Sequence, residues 1–242
     1  MPTPFDTLAF NFANASCATF FDNFLANDTI ADCHAVSLLL QHSNSFFHIL
    51  SSSAETSRVL DTTCSEEVSE CSAIMTSLAQ EMLSDDNCGA DFNSGNAYVK
   101  ATYQDLMAYE PVYHATCLVN PTTSNYCFAD AASNTTAPGD YAVYLIPLGT
   151  TFTSTTLTCN ECLQATMDIY ATYARENNQA LDSDYIDSAK RVNEFCGAKF
   201  ANTSVTLGSE SVTAGGLMSL PSTRLVVTFM SLTLGLLLTG IF

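Results

Sequence analysis

The chain has 242 residues and a formal net charge of −18, from 25 acidic and 7 basic side chains. This charge excludes a protein that binds nucleic acid through its phosphates, because that affinity comes from Lys and Arg. With 47% hydrophobic residues, the chain is too apolar to be intrinsically disordered, and its length suits one domain with a sizeable core.

Apolar residues recur at helical spacing along most of the chain. We predict helices at 17–27, 35–50, 66–83, 96–110, 160–177 and 182–197. The clearest, over 66–83, has an apolar residue at every third or fourth position. That stripe comprises Val68, Cys71, Met75, Leu78 and Met82. Ser65 is its predicted N-cap, and Gly197 is the predicted C-cap of the last helix.

Residues 141–149 are predicted to form a strand, which Pro147 restricts to the edge of a sheet. We therefore predict a mainly α fold: a single disulfide-stapled helical ectodomain with at most a short strand pair, plus a C-terminal hydrophobic tail. The predicted divisions are a cysteine-rich helical ectodomain at 1–204, a short linker with the anchor attachment region at 205–216, and a spacer with the hydrophobic tail at 217–242.

Ten cysteines spread over the ectodomain, and none lies in the tail. They are Cys17, Cys33, Cys64, Cys71, Cys88, Cys117, Cys127, Cys159, Cys162 and Cys196. An even number with this distribution is typical of a disulfide framework formed outside the cytosol.

The spacing of the cysteines leaves the pairing open. Candidates with short loops are Cys17 with Cys33 and Cys117 with Cys127. Cys64 and Cys71 would be about 10 Å apart on one helix, too far for a disulfide. The pair Cys159-Asn-Glu-Cys162 also has the spacing of a redox or zinc motif. We interpret it as two cysteines in different disulfides, because no thioredoxin-like pattern or second ligand pair accompanies it. Cys196 is expected to tie its helix to another.

Four sequons for N-glycosylation lie in the predicted ectodomain, at Asn14, Asn27, Asn134 and Asn202. Together with the cysteines they favour passage through the secretory pathway. The residues that follow Met1 do not resemble a signal peptide, since Asp6 interrupts any apolar core and no basic region precedes it. We therefore expect the true N-terminus to lie upstream.

The C-terminus has the layout of a glycosylphosphatidylinositol (GPI) attachment signal. Three small residues, Ala214, Gly215 and Gly216, precede a spacer at 217–224 and 18 uncharged residues at 225–242. Ala214 is the predicted attachment residue. Ser209, Ser211 and Thr213 are also small enough for attachment. The alternative is a single membrane-spanning helix, although 18 residues reach only about 27 Å of a ~30 Å hydrocarbon core.

No motif in the sequence predicts a catalytic residue, a metal ligand or a cofactor. The loop at 84–96 is rich in oxygen ligands, but Ala90 and Asn96 stand where a calcium loop needs Gly and Glu. We interpret this loop as a turn held by a disulfide. The histidines, which form no H-E-x-x-H pair, are His34, His42, His48 and His114.

Several short motifs resemble one known family. They are NCGAD at Asn87, YCFADA at Tyr126, YLIPLGTTF at Tyr144, CNECLQATM around Asn160 and FCGAKF at Phe195. The chain is similar, over about residues 5–202, to a fungal family of secreted, GPI-anchored, cysteine-rich proteins known only as a domain of unknown function. The resemblance implies a signal peptide and a lipid anchor, and it implies no activity.

Our leading hypothesis is a GPI-anchored protein of the extracellular face of the plasma membrane or of the cell wall, with a non-catalytic display, structural or binding role. Its expected partners are the membrane, through the lipid anchor, and cell-wall polysaccharide or surface proteins.

Three rival hypotheses remain open at the level of the sequence. The first is a secreted, membrane-anchored hydrolase of wall polymers, which needs a deep pocket with two carboxylates about 5–9.5 Å apart near Asp85, Asp168 or Asp182. The second is a single-pass membrane protein that retains the C-terminal helix. The third is a tail-anchored cytosolic protein with free thiols.

Overall fold

A computed structural model of the chain describes residues 1–6, 11–177 and 179–209. In these residues the fold is mainly α, as predicted. The α-helices there are α1 (Ala15–Leu25), α2 (Asp28–Ala31), α3 (Asn44–Ile49), α4 (Ser53–Thr63), α5 (Val68–Met82), α6 (Gly89–Asn93), α7 (Ala97–Met107), α8 (Tyr109–Thr116), α9 (Cys127–Ser133), α10 (Gly139–Ala142), α11 (Glu161–Tyr173) and α12 (Leu181–Cys196). Two 3-10 helices are Val36–Leu38 and Val143–Leu148. The predicted attachment residue Ala214 and the tail lie outside the described residues.

The helix predicted over 66–83 is α5, which begins slightly later. Ser65 is not its N-cap, because the Ser65 hydroxyl donates to the Thr62 carbonyl at 2.7 Å and so belongs to the end of α4. Glu67 occupies the N-cap position instead. The apolar stripe is otherwise as expected, with Cys71, Met75, Leu78 and Met82 buried.

The prediction of one continuous helix over 35–50 is wrong. The chain instead forms the first 3-10 helix and then α3, with a turn between them. The Ser43 hydroxyl accepts from the Phe46 amide at 3.1 Å. The Asp6 carboxylate accepts from the amides of Asn44 and Ser45 at 2.7 and 2.8 Å. These two side chains satisfy the free N–H groups at the start of α3, which makes a helix start there more favourable than continuation. The helix predicted over 96–110 likewise divides into α7 and α8.

The predicted strand at 141–149 is wrong. These residues form α10 and the second 3-10 helix, and Pro147 lies inside the latter. Val143, Tyr144, Ile146 and Leu148 are all buried, and the 3-10 helix packs on α12 and α8. A strand needs a partner to pair its backbone groups, whereas a short helical turn satisfies them within the segment. In place of a strand pair, the described residues contain an isolated antiparallel bridge between Val119 and Tyr126.

Two clusters of buried apolar side chains form the core. One joins α1, α5 and α7 and includes Phe21, Met75 and Leu106. The other joins α4, α8, α9, α11, α12 and the second 3-10 helix and includes Phe128 and Tyr170. Helix α8 contributes to both clusters, so it connects the two parts of the core.

All ten cysteines form disulfides. The pairs are Cys17–Cys88, Cys33–Cys71, Cys64–Cys117, Cys127–Cys162 and Cys159–Cys196.

The pairing predicted from short loops, Cys17 with Cys33 and Cys117 with Cys127, is wrong, because each of these residues pairs with one that is distant in sequence. The interpretation of Cys159 and Cys162 as members of different disulfides is confirmed. The Cys196 bridge ties α12 to the segment that leads into α11.

Replacing Phe128 with Ala tests the second cluster. Phe128 is 0% exposed, and its ring centroid lies 4.9 Å from that of Tyr144 and 6.2 Å from that of Phe46. We expect the free energy of unfolding to fall by about 3–5 kcal/mol, since a large buried ring is lost and a cavity remains. Urea unfolding of the oxidised protein measures the change. The control is Phe47→Ala, because Phe47 is 65% exposed and its loss should change stability by about 0.5 kcal/mol or less. Equal losses in the two variants would contradict this assignment of the core.

Candidate functional site

A cavity of about 80 Å³, called the polar cavity here because two carboxylates line it among apolar side chains, lies between α9, α10 and α11. Its lining includes Asp130, Asp140, Asn134, Tyr144 and Thr166, and among the described residues it includes no Lys, Arg or His. The volume is well below the roughly 300 Å³ at which pockets for drug-sized ligands begin, although it is sufficient for water.

The carboxylate of Asp130 is held by three neutral donors. It accepts from the Asn120 amide at 2.7 Å, the Thr123 hydroxyl at 2.8 Å and the Asn125 amide at 3.0 Å. All three donors lie on the loop between α8 and α9. Asp130 therefore closes this loop, and both of its oxygens are already engaged.

The second carboxylate of the cavity, Asp140, connects a sequon to the linker before α11. It accepts from the Asn134 side-chain amide at 2.9 Å and from the Thr158 backbone amide at 2.7 Å. The same Asn134 nitrogen also donates to the Thr158 hydroxyl at 3.2 Å. The amide nitrogen that would carry a glycan at Asn134 is thus bound to the wall of the cavity.

A fully buried carboxylate, Asp105 on α7, was not singled out by any sequence motif. Neither of its oxygens has a hydrogen-bond partner among the described residues. His42 Nε2 lies 3.6 Å from Oδ2 of Asp105, and the His42 ring stacks on Phe5. Burial raises the pKa of Asp105 well above its ordinary value and lowers the pKa of His42. Both shifts favour the uncharged forms of the two side chains.

A second group without a sequence motif surrounds Glu110 in the first turn of α8. Its carboxylate accepts from the Ser72 hydroxyl at 2.8 Å and from the Tyr173 hydroxyl at 2.9 Å. His114 Nε2 lies 3.9 Å from the same carboxylate, and burial lowers the pKa of His114 although Glu110 opposes this shift. A carboxylate, an imidazole and two hydroxyl groups therefore meet here. Two larger grooves lie near the N-terminus, one between α1 and α5 and one lined by residues 1–6, α1 and α2. None of the four side chains lines the polar cavity or either groove.

The carboxylate of Asp91 on α6 fixes the segment that leads into α1. It is 1% exposed and accepts from the backbone amides of Ala13 and Asn14 and from the side-chain amides of Asn14 and Asn96. Burial alone raises the pKa of Asp91, but these hydrogen bonds outweigh it and lower the pKa below its ordinary value. Asp91 and Asp105 are thus two buried carboxylates with opposite shifts.

The residues singled out from sequence are scattered. The segment at 84–96, interpreted as a turn held by a disulfide, is such a turn up to Cys88, but α6 occupies Gly89–Asn93 within it. Asp85, Asp168 and Asp182 line neither the polar cavity nor the two grooves. Within the described part of the chain, no three His, Cys, Asp or Glu side chains are arranged to hold a metal ion. No helix there is both long enough and apolar enough to cross a bilayer.

The fold therefore defines a mainly α domain cross-linked by five disulfides. Such a number of disulfides is typical of an extracellular or secreted protein. The chain belongs to the family described as a domain of unknown function, DUF7729, which matches residues 1–205. No curated protein and no solved structure matches the chain. The expected membership of a family of unknown function is confirmed, while fungal origin, secretion and lipid anchoring stay predictions.

Replacing Asp91 or Asp105 with Asn should change stability in opposite directions for the two residues. Asp91 has a lowered pKa in the folded state, so its contribution is present above the unfolded pKa of about 4 and is lost as the pH falls. Asp91→Asn should cost about 1–3 kcal/mol at pH 7, because the amide cannot accept all four hydrogen bonds. The loss should shrink at pH 3.

Asp105 has a raised pKa in the folded state, so its cost to stability grows as the pH rises above about 4. Asp105→Asn resembles the protonated acid and should stabilise the fold at pH 7 and have little effect at pH 3. Urea unfolding of both variants at the two pH values measures these changes. A destabilised Asp105→Asn protein at pH 7 would contradict the raised pKa of Asp105 and would instead indicate an ion pair with protonated His42.

Proposed function

We propose that this chain is an extracellular surface domain that is exported through the secretory pathway and held at the plasma membrane or cell wall of a fungus by a GPI anchor. Its role is non-catalytic: display, structural support or binding at the surface. The observation that carries the proposal is that all ten cysteines are in disulfides. Such a set is not maintained in the reducing cytosol.

The sequons support the same compartment. Asn14, Asn27 and Asn202 are exposed, and Asn134 is half-buried. Three of the four thus lie where a bulky glycan can be accommodated without entering the core. The net charge of −18 supports a soluble surface domain that does not associate with anionic lipid headgroups.

The GPI anchor rests on the C-terminal sequence alone, with Ala214 as the attachment residue. The last described residue is Ser209, and residues 205–209 remain close to the domain, since the Gly208 amide donates to the Ala174 carbonyl at 3.0 Å. The connection from the domain to Ala214 is therefore short. An anchor there would hold the domain near the membrane, within reach of wall polysaccharide and neighbouring surface proteins.

The hydrolase alternative receives little support from the cavities. Asp130 and Asp140 line the same cavity, but its volume is about 80 Å³ and both carboxylates are already bound by loop residues. The carboxylates named from sequence, Asp85, Asp168 and Asp182, line neither this cavity nor the two grooves. A polymer-cleaving enzyme needs an open cleft around its carboxylate pair.

Identification of the C-terminal peptide from native membranes tests the proposal. We expect release of the protein by phosphatidylinositol-specific phospholipase C, and a terminus near Ala214 that carries an ethanolamine-glycan remnant. A chain that ends after Ser209 is the matched control, because it lacks the whole signal and should appear in the medium.

An intact Phe242 in the membrane-bound protein would contradict the anchor and would favour the single-pass alternative. Protein found in the cytosol with free thiols would contradict the extracellular location as well.

A further inference from the structure

Two grooves lie side by side near the N-terminus, and both are partly apolar. The α1–α5 groove, of about 330 Å³, is lined by Phe20 and Leu78 among others. The N-terminal groove, of about 460 Å³, lies between residues 1–6, α1, α2 and the first 3-10 helix. Its lining includes the apolar side chain of Leu25, which is 39% exposed. Apolar surface of this kind in a soluble domain is usually covered.

The residues common to both grooves are Phe24, Asn27 and Ile30. Phe24 and Ile30 are buried, whereas Asn27 is exposed. Asn27 therefore stands on the ridge between the two grooves, and it is also a sequon residue. Any group attached to its side chain begins at the edge of both grooves.

The side chain of Asn27 is oriented by the structure in a way that leaves its nitrogen available. Its Oδ1 accepts from the Thr29 amide at 3.0 Å and caps α2, and its Nδ2 makes no hydrogen bond to a described residue. In contrast, Nδ2 of Asn14 donates to Asp91, and Nδ2 of Asn134 donates to Asp140 and Thr158. A glycan on Asn27 replaces no contact of the fold.

We infer that an N-linked glycan on Asn27 is the occupant of these two grooves and covers their apolar lining. The inference rests on the proposed function, because only a chain in the secretory pathway receives this glycan. The sugar presents hydroxyl groups to solvent and lies over Leu25 and its neighbours, which keeps this face from associating with other apolar surfaces. Asn202 is a matched comparison: it is an exposed sequon residue that lines neither groove.

Hydroxyl-radical labelling of the full chain in native membranes, read by peptide mass spectrometry, tests the inference. Thr29→Ala removes the sequon but keeps the cap, since the cap bond comes from the Thr29 backbone amide. We expect it to raise the labelling of Leu25, while labelling of the exposed Phe47 stays constant. Thr29→Ser retains the sequon and should behave as the wild type. Ser204→Ala removes the Asn202 sequon and should leave Leu25 labelling unchanged.

Enzymatic removal of N-glycans from the folded wild-type protein gives the same comparison without a substitution, and Leu25 labelling should again rise. Unchanged Leu25 labelling in both experiments would overturn the inference. A glycan found on Asn202 but not on Asn27 would overturn it too, while the proposed function would stand. A chain without any glycan that stays in the cytosol would contradict both.

Discussion

The disulfides divide the domain into two parts, residues 17–117 and residues 127–196, and no disulfide joins one part to the other. Apart from the polypeptide chain itself, the two parts are therefore held together by non-covalent packing alone. Three disulfides lie within the first part and two within the second. The contacts between the parts include those of α4 with α9 and of α8 with α11. Polar contacts add to them, for example from the Tyr173 hydroxyl to Glu110 and from the Gln179 amide to the Met107 carbonyl. The second apolar cluster includes side chains from both parts, so its packing determines how the two cross-linked parts are arranged.

Features encoded by local spacing were predictable from the sequence. The stripe of α5 follows from apolar side chains three and four residues apart, and the end of α12 follows from Gly197 at its C-cap. Features that depend on distant residues were not. The start of α3 is set in part by Asp6, and the apolar run at 143–148 is helical because it meets α8 and α12 rather than another strand. Cysteine pairing fails for the same reason, since spacing carries no information about which helices meet.

The features of the candidate sites also divide into those set by local sequence and those set by tertiary contacts. A sequon is a local motif, so all four could be named, but the difference between the free nitrogen of Asn27 and the bound nitrogen of Asn134 arises from tertiary contacts. Asp105 offered one local signal, since it follows Val99 and Thr102 on the buried face of α7. The polar side chains discussed above mostly hold loops together, and the two N-terminal grooves share the sequon residue Asn27.

The most direct test of the fold and its compartment is a disulfide map of the unreduced protein from its native source. Peptide mass spectrometry should find no free thiol and the five pairs Cys17–Cys88, Cys33–Cys71, Cys64–Cys117, Cys127–Cys162 and Cys159–Cys196. This result would support both the fold and the oxidising compartment. Ten free thiols would contradict the extracellular location, and a disulfide between residues 17–117 and 127–196 would contradict the arrangement of the two parts.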